Sequence, residues 1–297
     1  MNLRRPTRRS TGRADLWLLR GERRRGAPVT IIVRRHADYQ TTKGVRHSGQ
    51  ILMTNGPIAS PSTCQPEYWN SPARPWATHY EQADRAFGGL GMAALQLAAL
   101  QGGENVLDIG CGSGTTVLEL ATRVGSWGHV RGADVSAQCV AQARERIAAA
   151  GLSHAEVIEA DVAAHSFATG GFDLAFSRLG VMFFSDPTAA LANVYRAMKP
   201  AGRVVPAVFR PTSENPWPSA PVGTVCHLLP PMPPPAPDDP GMFSWGEPAR
   251  VRRILEGAGF REVSLTPLDL DCQLAGDGEI AEAAEFALLF GPLPRRV

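Results

Sequence analysis

The chain has 297 residues, 44% of them apolar and 20% charged. Those proportions fit one large or two small globular domains and exclude a chain that is disordered throughout. No apolar run reaches the roughly 18–20 residues that cross a bilayer, which excludes an integral helical membrane protein. Five cysteines (Cys64, Cys111, Cys139, Cys226 and Cys272) form no C-x-x-C pair, so a zinc module or disulfide framework is not expected and a reducing cytoplasm fits.

The net charge of +2 hides an asymmetry: residues 1–50 carry net +10 and the remainder net −8. Residues 1–60 show no sustained period, so they are read as a basic disordered extension able to touch RNA or anionic lipid. The acidic remainder argues against a nucleic-acid groove on the folded body. Met53 stands just before the pattern becomes domain-like. One expectation is therefore that 1–52 lie outside the native protein and that deleting them leaves stability intact.

Residues 61–297 are read as a single domain. Residues 81–100 are rich in Ala and Leu and predict a helix weakened by Gly88, Gly89 and Gly91. Strands are expected at 106–109, 129–133, 155–160, 172–177 and 203–209. Helices are expected at 115–124, 137–150 and 187–198. This alternation predicts an α/β fold, a parallel sheet with helices on both faces. Residues 216–240 hold ten prolines, which excludes helix and central strand. Their apolar neighbours suggest an ordered proline-rich flap, 211–246, rather than a linker. A helix (247–258), a strand (261–270) and a further helix (279–289) follow.

In open α/β sheets ligands bind beyond the carboxyl ends of the strands. Here those ends read Asp108-Ile109-Gly110-Cys111-Gly112-Ser113-Gly114, then Asp134, Asp161, and Ser177-Arg178. The first is a glycine turn entering a helix, with backbone free to approach a ligand closely. Thr115 stands where a dinucleotide pattern wants its third glycine, and Asp108 would crowd a pyrophosphate but could receive an ammonium group. Asp134 could accept two hydrogen bonds from a ribose diol, and Asp161 one from an adenine amino group.

VLDIGCGSG (106–114), GADVS (132–136), EAD (159–161), FDLAFSRLGVMFF (172–184) and LANVYRAMKPAGR (191–203) resemble a class I S-adenosylmethionine-dependent methyltransferase. The similar group is the small-molecule, ubiquinone/menaquinone-type enzymes, and the likeness runs from about Tyr68 to Leu268. The resemblance implies a Rossmann-like sheet and methyl transfer from S-adenosyl-L-methionine to a small-molecule acceptor. It implies that Asp108 and Gly110 hold the methionine end and that Gly112 and Gly114 let the backbone pass close. Asp134 would bind the ribose, Asp161 and Val162 the adenine, with Cys111 and Val135 also cofactor-binding, and Ser177 and Arg178 would lie where donor faces acceptor. Tyr68, Trp69 and Trp76 match a leading segment that folds over the cofactor in similar enzymes.

Similar enzymes end on an antiparallel strand completing seven. No strand is evident after 270, so the last strand is expected to be missing, leaving an open edge and a weakened lid. His79, Tyr80, Arg178 and His227 are candidates for acid–base work, and Met182, Phe183 and Phe184 for an apolar acceptor wall. Among the alternatives, an inactive cofactor-binding relative stays open. The Tyr195-x-x-x-Lys199 spacing of short-chain dehydrogenases is set aside, because Lys199 precedes Pro200 and lies away from the expected cofactor. A nucleic-acid methyltransferase is set aside because no Asn/Asp-Pro-Pro-Tyr/Phe segment follows the fourth strand.

Overall fold

The computed structural model describes residues 29–34, 66–70, 76–215, 217, 238–270, 272–275 and 280–290. In chain order these form β1 (Val29–Arg34), α1 (Pro66–Asn70), α2 (Tyr80–Leu97), β2 (Asn105–Ile109), α3 (Thr115–Val124), β3 (His129–Asp134), α4 (Ala137–Ala149) and β4 (Ala155–Glu159). Then come β5 (Phe172–Arg178), α5 (Pro187–Ala197), β6 (Met198–Val208), α6 (Pro248–Gly257), β7 (Arg261–Pro267) and α7 (Ile280–Phe290). The sheet has seven strands in the order β4-β3-β2-β5-β6-β1-β7.

β2 to β6 pair in parallel, and their direction of travel across the sheet reverses between β2 and β5. Right-handed crossovers on either side of that reversal put α3 and α4 on one face and α5 and α6 on the other. The parallel strands are buried on both faces: Val106, Leu107, Val130, Ala133, Leu174, Ala175 and Phe176 are fully enclosed, as the near-continuous apolar runs in the sequence require. α2 adds a stripe of Ala83, Ala86, Phe87, Leu90 and Ala94 at helical spacing and packs on β5 and β6.

The edge of the sheet corrects the sequence reading. β1, inside the stretch read as structureless, lies between β6 and β7 and is antiparallel to both. Val29 stands opposite Val208 and Pro267, and Arg34 opposite Arg203 and Arg261. Its first five residues, Val29-Thr30-Ile31-Ile32-Val33, are all β-branched, which suits a pleated strand with a neighbour on each side. Among the described residues no strand follows β7. The seventh place in the sheet is filled from the amino-terminal side, so the expected open edge beside β6 is absent. The rest of 1–60 lies outside the described residues.

Both ends of the proline-rich segment are packed. Trp217 sits among Phe87, Phe209 and Phe286. Gly241 N–H and the Ser244 hydroxyl both donate to the Met182 carbonyl, at 3.0 and 2.7 Å, and Trp245 is buried. Residues 218–237, with His227, lie outside the described residues.

Candidate active site

A cleft of about 1150 Å³, partly continuous with solvent, opens where the strand order reverses. Its floor is the set of turns that leave β2, β3, β4 and β5: Ile109 to Ser113, Asp134 to Ser136, Ala160 to Val162, and Arg178 to Gly180. α2 supplies Tyr80, Ala83, Asp84 and Phe87, and Trp69, Trp76, Phe183 and Phe184 form an aromatic wall.

The glycine turn is shaped by left-handed backbone at Gly110, Gly112 and Gly114, with φ of 66°, 53° and 85°. The three differ in what surrounds them. A Cβ on Gly110 would stand 2.9 Å from Gly180 Cα, and one on Gly114 would stand 2.9 Å from Ala143 Cβ. A Cβ on Gly112 would meet nothing within 4 Å. Gly114 is thus needed for α3 to lie against α4 and does not line the cleft, whereas Gly112 leaves a gap that a ligand can fill. Asp134 holds this turn in place: its Oδ2 accepts from Gly112 N–H at 2.8 Å and its Oδ1 from Ser136 N–H at 2.9 Å. Burial pushes its pKa up, against those backbone donors. A carboxylate has about four lone-pair directions, so with the N–H groups of Gly112, Ser136 and Val135 engaged it keeps acceptor capacity for a ligand. Asp161, on the cleft rim, accepts from Ala163 N–H at 2.9 Å.

Asp108 is placed differently from the sequence reading. It is wholly buried and does not line the cleft. Its Oδ2 accepts from the Thr116 hydroxyl and its Oδ1 has no partner. Burial drives its pKa to about 7; the Thr116 bond and the Arg178 charge pull it back, and Asp134 adds to the rise. Ser177 is also buried, donating to the Ile109 carbonyl at 2.8 Å and accepting from Gly180 N–H at 3.2 Å, so it braces two turns and does not face the cleft. Gly110, Cys111, Gly112, Asp134, Val135, Asp161, Val162 and Arg178 do line it.

At the α2 end, Arg178 Nη2 donates to Asp84 Oδ1 at 2.7 Å, and Thr115 donates to Asp84 Oδ2. Arg146 donates to Thr115 Oγ1 at 2.8 Å and stacks 4.5 Å from the Tyr80 ring centre. Sequence reasoning missed Asp84, which stood inside a helix read only for its Ala/Leu content. α1 is fastened across the cleft mouth. Asn70 accepts from the hydroxyl of Ser136, the α4 cap, at 3.0 Å. Trp69 packs edge-on against Phe183 at 4.8 Å, and Trp76 against Phe290 of α7 at 4.8 Å.

Residues 106–202 match the family model described as a methyltransferase domain. This stretch of the chain is a methyltransferase domain.

Over 185 residues the chain is 31% identical to nocamycin O-methyltransferase of Saccharothrix syringae, covering 60% of this chain and 66% of that one. Over 110 residues it is 31% identical to demethylmenaquinone methyltransferase of Listeria monocytogenes, covering 37% and 46%. The chain therefore spans just under two thirds of the first relative and under half of the second. A chain from the complex between the Haloferax volcanii Trm112 methyltransferase activator and a methyltransferase shares the fold, with a TM-score of 0.51 at 20% identity over 74% of this chain and 92% of that one.

Of the other sequence candidates, Tyr80, Phe183 and Phe184 line the cleft, whereas His79 and Met182 do not. His79 precedes α2 and pairs with Gln82 at 2.9 Å without lining the cavity. Met182 is core. Tyr195 packs on Phe260, and Lys199 pairs with Asp173 at 2.7 Å. Neither lines the cleft, as expected when the dehydrogenase spacing was set aside.

Proposed function

We propose that the domain transfers a methyl group from S-adenosyl-L-methionine to a small-molecule acceptor. The observation that carries this is the joint between Gly112 and Asp134: a backbone turn with vacant space above it, clamped by a carboxylate with acceptor capacity to spare. A nucleoside needs both features. Asp134 would take the ribose diol, Asp161 and Val162 the adenine edge, and the Gly110–Gly112 turn the amino-acid end. Asp108 would act from behind that turn, through Thr116 and its unpartnered Oδ1.

When bound, S-adenosylmethionine supplies a methyl group on a positively charged sulfur. What remains for the chain is alignment and exclusion of water, and positioning alone contributes about 7–11 kcal/mol in favourable cases. Trp69, Trp76, Phe183 and Phe184 would enclose an apolar acceptor, with α1 as the cover. Relatives named for nocamycin and demethylmenaquinone support a small molecule as acceptor, and the net −8 of residues 51–297 speaks against nucleic acid on the folded body. A cytoplasmic location is part of the same reading, supported by the buried free thiols of Cys111 and Cys139.

An acceptor screen that detects release of S-adenosylhomocysteine tests the activity. Turnover with any small molecule, abolished in Asp134→Ala, supports it. Cofactor binding without release across the screen would leave a binding protein instead.

A further inference from the structure

We infer that Arg178 selects an acceptor bearing an ionised oxygen, and that this acceptor reaches the domain already deprotonated. The inference rests on the methyltransferase reading and concerns the acceptor half of the same cleft.

Arg178 ends β5 on the cleft wall, with its side chain 17% exposed. Room for it has been made in α2. A Cβ on Gly91 would stand 3.0 Å from Arg178 Cδ, and a glycine inside a helix costs about 1 kcal/mol relative to alanine. The helix carries that cost at the point where the arginine stem passes. Asp84 fixes the guanidinium at 2.7 Å. Among the described contacts this engages one of its five N–H donors. Asp84 cannot swing away, because Thr115 holds its second oxygen and Arg146 holds Thr115. Asp84 thus pairs with Arg178 directly and is linked to Arg146 only through Thr115. The other nearby carboxyl, Asp108, is off the cleft wall and is driven toward its neutral form.

Among the described residues the cleft offers no imidazole or amine base beside Arg178, and Tyr80 on its wall donates its hydroxyl to Glu81 at 3.2 Å. Both oxygens of Asp84 are engaged, and Asp134 and Asp161 stand at the tips of β3 and β4, across the reversal point. Burial pushes the Cys111 thiol up and the Cys139 thiol to about 11. An acceptor that is already ionised needs no proton removed, and a planar guanidinium with spare donors matches an oxyanion. The aromatic wall of Trp69, Trp76 and Phe183 favours a flat apolar body behind that oxygen.

The test uses the full chain saturated with S-adenosylhomocysteine and calorimetric titration of 1- and 2-naphthoate against their neutral naphthamides. In the wild type at least one acid should bind about tenfold tighter than its amide, the worth of one charge-assisted hydrogen bond. In Arg178→Met that preference should disappear. Gly91→Ala removes the helix cost while crowding the arginine stem, so it should fold at least as well and lose several-fold of the preference. It decides the matter if Arg178→Met does not fold. Amides binding as tightly as acids in the wild type, or a preference that survives the deciding variant, overturns the inference and leaves the methyltransferase reading intact. Failure of the wild type to bind S-adenosylhomocysteine overturns that reading and this inference with it.

Discussion

The amide of Gly112 donates to Oδ2 of Asp134 at 2.8 Å, so the turn after β2 and the tip of β3 are one unit. Two charge-assisted bonds to a diol are worth roughly 1.5–3 kcal/mol each. Asp134→Ala should therefore weaken S-adenosylhomocysteine by about 100-fold or more. Asp134→Asn keeps an acceptor for only one of the Gly112 and Ser136 N–H groups, so it should lose about 1–3 kcal/mol of stability as well as about tenfold in affinity. Calorimetry and thermal melts on the pair check both statements; wild-type affinity in Asp134→Ala would refute the diol contact.

Gly112 and Gly114 should respond differently to alanine. Both sit at positive φ, which costs of order 1 kcal/mol for a residue with a Cβ. At Gly114 the new methyl also meets Ala143 at 2.9 Å, so Gly114→Ala should lose about 2–4 kcal/mol of stability. Gly112→Ala meets no protein atom and should lose only about 1 kcal/mol, yet bind S-adenosylhomocysteine at least about tenfold more weakly, a loss of roughly 1.4 kcal/mol. Urea melts paired with calorimetry separate the two; equal losses of stability would contradict the assignment.

Asp108 should make stability depend on pH with a definite sign. Its folded pKa is raised from 3.8 to about 7, so the folded state binds the proton more tightly than the unfolded chain. The resulting stabilisation is fully present below about pH 4 and is lost as pH rises through about 7. A tenfold difference in proton affinity is worth about 1.4 kcal/mol, so the swing is on the order of 2–4 kcal/mol. Asp134 is shifted in the same direction, so the comparison must be with Asp108→Asn, in which only the Asp108 contribution is removed. The wild-type minus Asp108→Asn difference, from urea melts at pH 4 to 8, should fall across that window; a flat difference would contradict it.

β1 bridges β6 and β7, and its removal should be felt. Deleting residues 1–35 should lower the melting temperature by at least about 5 °C, or about 2 kcal/mol for a domain of this size, whereas deleting 1–26 should change it little. This reverses the expectation drawn from Met53. Equal melting temperatures for the two deletions and the full chain would show that the strand contributes nothing.

The parallel half of the fold was legible because its strands are short apolar runs and three of them, β2, β3 and β5, lead into the periodic helices α3, α4 and α5. Asp134, for instance, is both the end of β3 and two residues ahead of the Ser136 cap. β1 was not legible, although Val29-Thr30-Ile31-Ile32-Val33 is a strong strand signal. Its arginine-rich flanks dominated the reading, and its partners lie about 170 and 230 residues away. The inward turn of Asp108 was hidden for another reason: spacing shows that an acid precedes the glycines but not which way its side chain points. The Arg178–Asp84 pair joins residues 94 positions apart, and no local pattern announces it. Only the packing of α2 against β5, with Gly91 making the room, brings the two together.

The central claim is that the Gly112–Asp134 turn holds a sulfonium nucleoside and not a dinucleotide. Isothermal titration of the full chain with S-adenosylmethionine, S-adenosylhomocysteine and NADH tests it most directly. Saturable one-to-one binding of the first two and no heat with NADH is the expected result; binding of NADH, or of none of the three, would contradict it.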